Sequence, residues 1–493
     1  MKTGFDHELY TKLQSEHILE RINQFGGKLY MELGGKLFDD YHASRVLPGF
    51  LPDSKVQMLL QMKDQEELII AVNANDIEKN KVRGDLGITY DADVLRLIDA
   101  FRGIGMYVGS VVLTQYQEQP AAAAFMDRLT SLGVRVYKHY PIPGYPSDVM
   151  TVVSPMGYGR NEYIETTRPL VLVTAPGPGS GKMATCLSQL YHEHARGVEA
   201  GYAKFETFPI WDLPLSHPVN IAYEAATADL GDFNMIDPFH LEAYGKTATN
   251  YNRDVEIFPV LKALFEHIYG TSPYQSPTDM GVNMITRCIT DDEVCREAGR
   301  KEILRRWYSA KCAQRKGHSD GEDATKIQLL LQKCHITDAD RPCIQAARDR
   351  AAETGAPALA IELEDGRVIT GKTSSLLGPS AAVLLNALKK LAGIHKNRHI
   401  ISPAVIKPMQ KLKLEYLGNH NPRLHSDEVL VALSICAATD EAAKLAMEQL
   451  PKLKGCEVHS TVILPQADDN IFRRLEVNLT CDPQYQTKKL FHG

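Results

Sequence analysis

The sequence predicts an α/β fold: a Rossmann-like, mostly parallel sheet with a glycine-rich turn, then a helical segment and a smaller α/β segment. Strand-like and amphipathic helical patterns alternate through the first part of the 493-residue chain, which is typical of βαβ units. Helical patterns then continue without a strand from residue 254 to residue 355, and strand patterns return after Gly355. We therefore expect three domains, at residues 1–250, 251–355 and 356–493.

The first domain is expected to contain a sheet of short apolar strands. Strand-like runs cover residues 28–33, 68–73, 107–114, 134–140, 169–174 and 205–212. The run at 169–174 reads Pro-Leu-Val-Leu-Val-Thr, a continuous apolar segment of the kind that is buried on both faces of a parallel sheet. Helical patterns cover residues 6–24, 93–102, 121–132 and 183–196. Gly26 and Gly27 provide a typical end for the first helix.

The second and third domains are predicted from the same periodicities. In the middle segment we expect helices at residues 257–269, 291–316, 323–334 and 338–353. In the last segment we expect a hairpin of residues 358–363 and 367–371, helices at 379–391, 403–417, 427–437 and 440–450, and a strand at 457–464.

Composition and charge exclude several classes of protein. The chain has 55 Lys and Arg against 61 Asp and Glu, a formal charge of -6, so it lacks the extended basic field that nucleic-acid binding requires. No apolar run reaches the ~18 residues of a membrane span. The nine cysteines include no CxxC pair, and the start of the chain does not resemble a signal peptide. We expect a cytoplasmic protein that binds neither nucleic acid nor membranes.

The most informative motif is the glycine-rich turn at residues 174–183, Thr-Ala-Pro-Gly-Pro-Gly-Ser-Gly-Lys-Met. It follows the predicted buried strand and precedes a helix, an arrangement that binds phosphate through free backbone N–H groups and the helix dipole. The candidate phosphate ligands are Gly177, Gly179, Ser180, Gly181 and Lys182. The alternative is a tight turn that only packs the helix against the strand.

The turn departs from the Walker A pattern at two positions. Pro176 stands where the pattern has its first glycine, and Met183 stands where it has a magnesium-binding Ser or Thr. A literal match occurs at residues 366–373, but its first half has the pattern of a hairpin turn and a strand. We therefore favour a capped helix over a second anion site there. ATP is one of several phosphorylated ligands that fit the turn at 174–183.

Acidic residues near the turn are candidates for a metal site. Ligands collect outside the carboxyl ends of strands in open α/β sheets, and the predicted strand at 205–212 would bring Glu206 or Asp212 to that edge. If a triphosphate binds with Mg²⁺, the candidate carboxylates are Asp212, Asp237 and Asp254. The sequence leaves the metal requirement open.

A second group of candidate residues lies between residues 237 and 254. Polar side chains occur there without helical spacing, so we expect a loop that contributes to a substrate site. Asp237 and His240 are the candidate acid–base catalysts, and Asn252 and Arg253 are candidate ligand-binding residues. The alternative is structural, because Asp and Asn are also common turn formers and helix caps.

Six motifs are distributed along the chain. They are the turn at 174–182, Asp-Pro-Phe-His-Leu-Glu-Ala-Tyr-Gly at 237–245, Asn-Tyr-Asn-Arg-Asp at 250–254, Ser-Pro-Tyr-Gln-Ser-Pro-Thr-Asp-Met-Gly at 272–281, Thr-Gly-Lys at 370–372 and Ala-Met-Glu-Gln-Leu-Pro at 446–451. Together they resemble a bacterial family, the domain of unknown function numbered 1846, over essentially the whole chain. The resemblance implies an α/β, helical, α/β architecture in a cytosolic protein. It implies no particular reaction and assigns no catalytic residue.

We expect a cytosolic enzyme, assembled as a homo-oligomer, that binds a nucleotide or phosphorylated metabolite at the glycine-rich turn. The alternative is a non-catalytic scaffold or regulatory oligomer that binds an anion or metabolite there. The position of the turn between a strand and a helix favours ligand binding. Met183 and the lack of a recognisable Walker B strand favour the alternative.

Overall fold

The computed structural model describes residues 2–35, 37–38, 40–83 and 87–486, and the chain divides into two units. The N-terminal unit consists of Lys2–Tyr223 and Asp232–Cys295, and the C-terminal unit consists of Glu224–Gly231 and Arg296–Gly493. The predicted third domain includes residues 487–493, which lie outside the described residues.

The N-terminal unit is built on a parallel sheet. Its described strands are β1 (Leu29–Leu33), β2 (Glu66–Asn73), β3 (Val82–Arg83), β4 (Ile88–Thr89), β5 (Val108–Thr114), β6 (Arg135–Lys138), β7 (Leu170–Thr174), β8 (Gly201–Phe205), β9 (Asn234–Ile236) and β10 (Thr249–Tyr251). Six of them form one sheet in the order β6-β5-β2-β7-β1-β8, and every pairing in it is parallel. β3 pairs with β4, and β9 pairs with β10, as small antiparallel sheets.

Helices cover both faces of this sheet. The described helices that begin between residues 2 and 280 are α1 (His7–Gln24), α2 (Tyr41–Val46), α3 (Ser54–Leu60), α4 (Ala74–Glu78), α5 (Tyr90–Gly103), α6 (Pro120–Ser131), α7 (Val149–Val152), α8 (Lys182–Ala195), α9 (Pro218–Ala226), α10 (Pro238–Tyr244), α11 (Asn252–Tyr269) and α12 (Pro277–Met280). One core joins α1, α3, α5 and α6 to one face of the sheet. A second core joins α8 and α11 to the opposite face, where Tyr30 and Tyr202 lie. In no described helix are length and apolar character together sufficient to cross a membrane.

The structure confirms five of the predicted strands and the parallel sheet, and it shows that the predicted strand at 205–212 is wrong. The strand there is β8, which pairs with β1 and ends at Phe205, opposite Leu33. Beyond it, Pro209 has no N–H group to donate to a neighbouring strand. The apolar pattern misleads because Phe208, Ile210 and Leu213 are buried in irregular structure rather than in the sheet.

The polar segment at 237–254 is also different from the predicted loop. Most of it belongs to α10, β10 and the beginning of α11. Asp237 caps α10, and Pro238 occupies the first helical position, where its missing N–H group costs nothing. The helix is only seven residues long, which is too short for a clear apolar periodicity.

The C-terminal unit has a four-stranded sheet in the order β12-β11-β13-β14. The strands are β11 (Ala358–Glu362), β12 (Val368–Lys372), β13 (Glu457–Ser460) and β14 (Asn478–Cys481). The helices of this part of the chain are α13 (Asp292–Lys316), α14 (Glu322–Lys333), α15 (Pro342–Thr354), α16 (Pro379–Leu391), α17 (Pro403–Lys411), α18 (Ser426–Ala437), α19 (Glu441–Met447) and α20 (Gln466–Arg474). The predicted hairpin is confirmed as β11 and β12. The predicted helix at 403–417 instead ends at Lys411 and continues as one π-helical turn, Leu412–Tyr416.

A buried acid in β2 makes the stability of the N-terminal unit dependent on pH. Glu66 is fully buried, and this burial raises the pKa of Glu66 to about 8, although the Arg168 guanidinium opposes the rise. The unfolded chain keeps the ordinary glutamate pKa of about 4.3. The folded chain therefore keeps the Glu66 carboxyl protonated at pH values where the unfolded chain has released this proton. The resulting stabilisation of the folded state is lost as the pH rises through the folded-state pKa.

Replacing Glu66 by glutamine is expected to remove this dependence. The difference in unfolding free energy between Glu66→Gln and the wild type should grow in favour of the variant by about 1.4 kcal/mol per pH unit from pH 5 to pH 8. Thermal unfolding measured across this range checks the prediction, with Glu242→Gln as the control because Glu242 is exposed. Parallel pH profiles for Glu66→Gln and the wild type would contradict it.

Candidate functional site

The glycine-rich turn lies between β7 and α8, as predicted. Gly179 and Gly181 have positive φ angles of 75° and 87°, in the left-handed region that favours glycine. The Ser180 hydroxyl donates to the Gly177 carbonyl at 2.8 Å and closes the turn. Gly181 is the N-cap residue of α8, so the turn leads directly into the first turn of that helix.

The backbone N–H groups at the beginning of α8 are the candidate ligands for an anion. Among the described residues, none of the amides from Gly179 to Ala184 donates a hydrogen bond, and Thr185 is the first that does, to the Gly181 carbonyl at 2.9 Å. Gly179 is exposed and Lys182 is partly exposed, so a ligand can approach these groups. Free amides at the N-terminus of a helix form a site for an anion.

Side chains at the ends of two neighbouring strands form hydrogen bonds with the turn. Thr114, the last residue of β5, donates its hydroxyl to the Ser180 carbonyl at 2.8 Å. Asn73, the last residue of β2, donates its side-chain amide to the Gly179 carbonyl at 3.3 Å. Because both bonds use carbonyl groups of the turn, they fix its conformation and leave its N–H groups available.

Close packing explains why glycine is required at two of these positions. A Cβ atom on Gly177 would lie 2.2 Å from the Tyr90 hydroxyl, and one on Gly181 would lie 3.0 Å from the Thr114 side chain. Lys81 lies over the Tyr90 ring, with its Nζ 5.0 Å from the ring centroid. A second cation therefore lies on the Tyr90 side of the turn.

The turn lies at the point where the order of the strands in the sheet reverses. β2 and β7 are neighbours, but the chain leaves β2 towards β5 and leaves β7 towards β8, on opposite sides. Open α/β sheets bind their ligands at such a point, outside the carboxyl ends of the two strands. Gln115, directly after β5, has a φ of 54°, a conformation that is uncommon for residues other than glycine and concentrates near functional sites.

Five charged side chains form a cluster beside the turn, which we call the acid–lysine cluster: Glu32, Lys182, Lys204, Glu206 and Asp254. Lys182 Nζ lies 3.8 Å from Glu32 Oε1. Lys204 Nζ lies 2.6 Å from Asp254 Oδ2 and 3.2 Å from Glu206 Oε2. Glu32 in β1 and Lys204 in β8 are register partners, so the cluster crosses two strands at their carboxyl ends.

The cluster is mostly buried, and its charges shift one another. Burial alone would lower the pKa of Lys204, but the carboxylates of Asp254, Glu206 and Glu32 raise it above the ordinary lysine value. Burial raises the pKa of Glu206; Lys204 opposes this rise, and Asp254 and Glu32 add to it. Glu32 also accepts a hydrogen bond from the Tyr202 hydroxyl at 2.8 Å.

Asp237 and His240 have contacts of a structural kind. Asp237 is fully buried, and one of its carboxylate oxygens accepts from the amides of Phe239 and His240 at 3.0 Å. The other oxygen accepts from the Thr278 hydroxyl at 2.6 Å. His240 Nδ1 lies 3.1 Å from the Ser276 hydroxyl. These contacts join α10 to the beginning of α12, and the acid–base role of the two residues stays a prediction.

Asn252 and Arg253 lie at the beginning of α11. The Asn252 side chain accepts from the Phe233 amide at 3.1 Å, and Arg253 forms an ion pair with Asp232 at 2.6 Å. The Arg253 side chain is 64% exposed. Of the predicted ligand-binding residues, Gly177, Gly179, Ser180, Gly181 and Lys182 lie together in the turn. Asn252 and Arg253 instead contact Phe233 and Asp232.

The three candidate magnesium ligands all have protein partners. Asp237 caps α10, Asp254 binds Lys204, and Asp212 accepts a hydrogen bond from the Thr286 hydroxyl. Within the described part of the chain, no group of three or more His, Cys, Asp or Glu side chains is placed to hold a metal ion.

Several residues of the site were missed from the sequence. Asn73 and Thr114 end two of the predicted strands, and polar residues at that position of a parallel sheet were a usable signal. Glu32 and Lys204 carry an equivalent signal, because each is a charged residue in an otherwise apolar strand. Tyr90 had none, since it reaches Gly177 only in the folded chain.

Comparison with known proteins places the chain in a family. The model of the domain of unknown function DUF1846, N-terminal, matches residues 3–335, and that of the C-terminal domain of the same name matches residues 339–491. The chain belongs to the DUF1846 family. The resemblance stated from the sequence motifs is thereby confirmed.

Similar proteins occur in several bacteria. A UPF0371 protein of Corynebacterium efficiens is 58% identical over 492 residues, which cover 100% of this chain and 99% of that protein. UPF0371 proteins of Streptococcus thermophilus and Streptococcus pyogenes are each 57% identical and cover 99% and 100% of this chain, and 99% and 100% of their own lengths. The names of these relatives carry no reaction, so a function has to be argued from the site.

Proposed function

We propose that the chain is an enzyme that binds a nucleotide or phosphorylated metabolite with its phosphate on the glycine-rich turn. One observation supports this most directly: within the described part of the chain, no amide from Gly179 to Ala184 donates a hydrogen bond, and these amides lie at the N-terminus of a 14-residue helix. Such groups are left without acceptors where they are solvated or where a ligand supplies the acceptor.

The surroundings of the turn agree with an anionic ligand. Lys182 is the first residue of α8, and its flexible side chain carries a point charge that can move from Glu32 to a bound phosphate. The turn lies where the order of the strands reverses, which is where Rossmann-like sheets bind dinucleotides. We therefore propose that the sheet binds its ligand as a Rossmann-like sheet does, at this edge.

Calorimetric titration of the full chain with inorganic phosphate, ADP and ATP, each with and without Mg²⁺, tests the proposal. We expect saturable binding of at least one of the three, and tighter binding of a nucleotide than of phosphate if the ligand is a nucleotide. The absence of heat with all three at millimolar concentration would contradict phosphate binding.

The alternative, a non-catalytic protein that binds an anion, has one observation in its favour. Met183 provides no hydroxyl at the position where a Walker A motif binds magnesium, and the Thr185 hydroxyl donates to the Gly181 carbonyl at 2.9 Å. The two functions are distinguished by incubation with the ligand that binds in the titration. An enzyme converts or hydrolyses it, and a scaffold releases it unchanged.

A further inference from the structure

The acid–lysine cluster carries more negative than positive charge. Three carboxylates (Glu32, Glu206 and Asp254) share two ammonium groups (Lys182 and Lys204). All five side chains are between 12% and 28% exposed, so they are reachable from solvent but poorly hydrated. One carboxylate in such a group is left without a full counter-charge, which favours its protonation.

The contacts identify Glu206 as that carboxylate. Asp254 receives both short contacts of Lys204 Nζ, at 2.6 and 2.8 Å, while Glu206 receives the longer one at 3.2 Å. Glu32 has the Tyr202 hydroxyl at 2.8 Å and Lys182 at 3.8 Å. Among the described residues, the Lys204 ammonium is the one polar group that the Glu206 side chain contacts.

The groups that face Glu206 come from several elements. The titratable and charged ones are Lys204 from β8, Glu32 from β1, Asp254 from α11, Tyr223 from α9 and Tyr251 from β10. Glu206 also lies against the loop after β1, where a Cβ atom on Gly34 would be 2.3 Å from its Cγ. Burial and two acidic neighbours raise the pKa of Glu206, and Lys204 supplies the opposing charge.

We propose that Glu206 is the proton-carrying group of the site and takes up a proton when a dianion binds to the glycine-rich turn. This inference rests on the proposed function. A phosphate on the turn adds negative charge and attracts Lys182, which lies 3.8 Å from Glu32. The Glu32 carboxylate then has Lys204 as its remaining positively charged neighbour in the cluster. Because Lys204 is shared in this way, it stabilises the negative charge of Glu206 less, and Glu206 binds a proton from solvent.

The inference also narrows the class of substrate. A protonated carboxyl beside a bound phosphate is suited to reactions in which an oxygen or nitrogen near the phosphate accepts a proton as a bond breaks. The expected substrate is therefore a phosphorylated molecule with a hydroxyl, ether or amine group within reach of β8, rather than an isolated phosphate.

Proton uptake on binding is measured by calorimetry in buffers with different heats of ionisation. Sulfate is the probe, because it remains a dianion at neutral pH and contributes no protons itself. We expect the wild type to take up a fraction of a proton per sulfate at pH 7 to 8. Glu206→Gln, which mimics the protonated acid, should still bind sulfate but lose this uptake. Glu242→Gln, an exposed glutamate of the same unit, should behave as the wild type.

The outcomes separate this inference from the function on which it rests. If sulfate binds to the wild type and not to Lys182→Ala, but no proton is taken up or Glu206→Gln takes up as much, the inference is overturned and phosphate binding stands. If sulfate does not bind to the wild type, both fail. Infrared difference spectra of the wild type provide a second measurement that needs no variant: sulfate should increase the protonated-carboxyl band, and an unchanged band would overturn the inference.

Discussion

Replacing Lys204 by methionine is expected to lower the free energy of unfolding of the N-terminal unit by about 3–5 kcal/mol. The substitution removes the ammonium that contacts both Asp254 and Glu206 and leaves their carboxylates without a counter-charge. A buried ion pair adds little over an apolar pair, but removing only one partner is costly because the other stays charged and poorly solvated. The melting temperature should fall by roughly 10 °C.

The expected loss depends on pH in a defined direction. Burial raises the pKa of Glu206 and Lys204 opposes this rise, so without Lys204 the pKa of Glu206 is higher still and the variant is less destabilised at pH 5 than at pH 8. Asp254→Asn in the Lys204→Met background should restore part of the stability. Scanning calorimetry checks these outcomes, with Lys246→Met, at an exposed position, as the control. A loss equal to that of the control would contradict the assigned role of Lys204.

The second large effect concerns binding. Lys182→Ala is expected to weaken the binding of phosphate or nucleotide about 10- to 100-fold, because a hydrogen bond to a charged group contributes roughly 1.5–3 kcal/mol. The backbone amides remain, so binding is weakened rather than abolished. Calorimetric titration of Lys182→Ala measures the change, and Lys246→Ala is the control for the loss of a positive charge in the same unit. Equal affinity of Lys182→Ala and the wild type would mean that the ammonium does not reach the ligand.

The parallel sheet was predictable because its strands carry the signal of burial. Four of the predicted strands, β1, β2, β5 and β7, are mainly apolar runs of five to eight residues, and helices between strands favour parallel pairing. The position of the turn followed from the same pattern, since Gly177 to Lys182 stand between a buried strand and a helix. The literal Walker A match at residues 366–373 has the predicted hairpin structure. Gly366 lies in the turn, with a φ of 78°, and β12 occupies the middle of the motif.

The order of the strands was not predictable, and most of the site depends on it. Glu32 and Lys204 are 172 positions apart and become neighbours only because β1 inserts between β7 and β8. Nothing in the two strands specifies this order, since each is a short apolar run with one charged residue. Sequence reasoning could have proposed both residues for the carboxyl edge, but not as members of one cluster.

The segment at 237–254 shows a different limit. Asp237 and His240 are residue types that form catalytic acid–base pairs, but an aspartate that caps a helix three residues before a histidine looks the same in the sequence. The distinction depends on where the carboxylate oxygens point, and here they accept from two amides of α10 and from the Thr278 hydroxyl. The proline at the first helical position was the available signal for a cap.

We expect the amides of the glycine-rich turn to bind a tetrahedral anion. The most direct test is anomalous diffraction from crystals of the full chain, grown without sulfate or phosphate and soaked in tungstate, a tetrahedral dianion that scatters strongly. We expect tungstate within hydrogen-bonding distance of the N–H groups of residues 179–184, with the Lys182 ammonium turned towards it. Tungstate bound elsewhere on the protein, with the turn empty and open to solvent in the crystal, would contradict it.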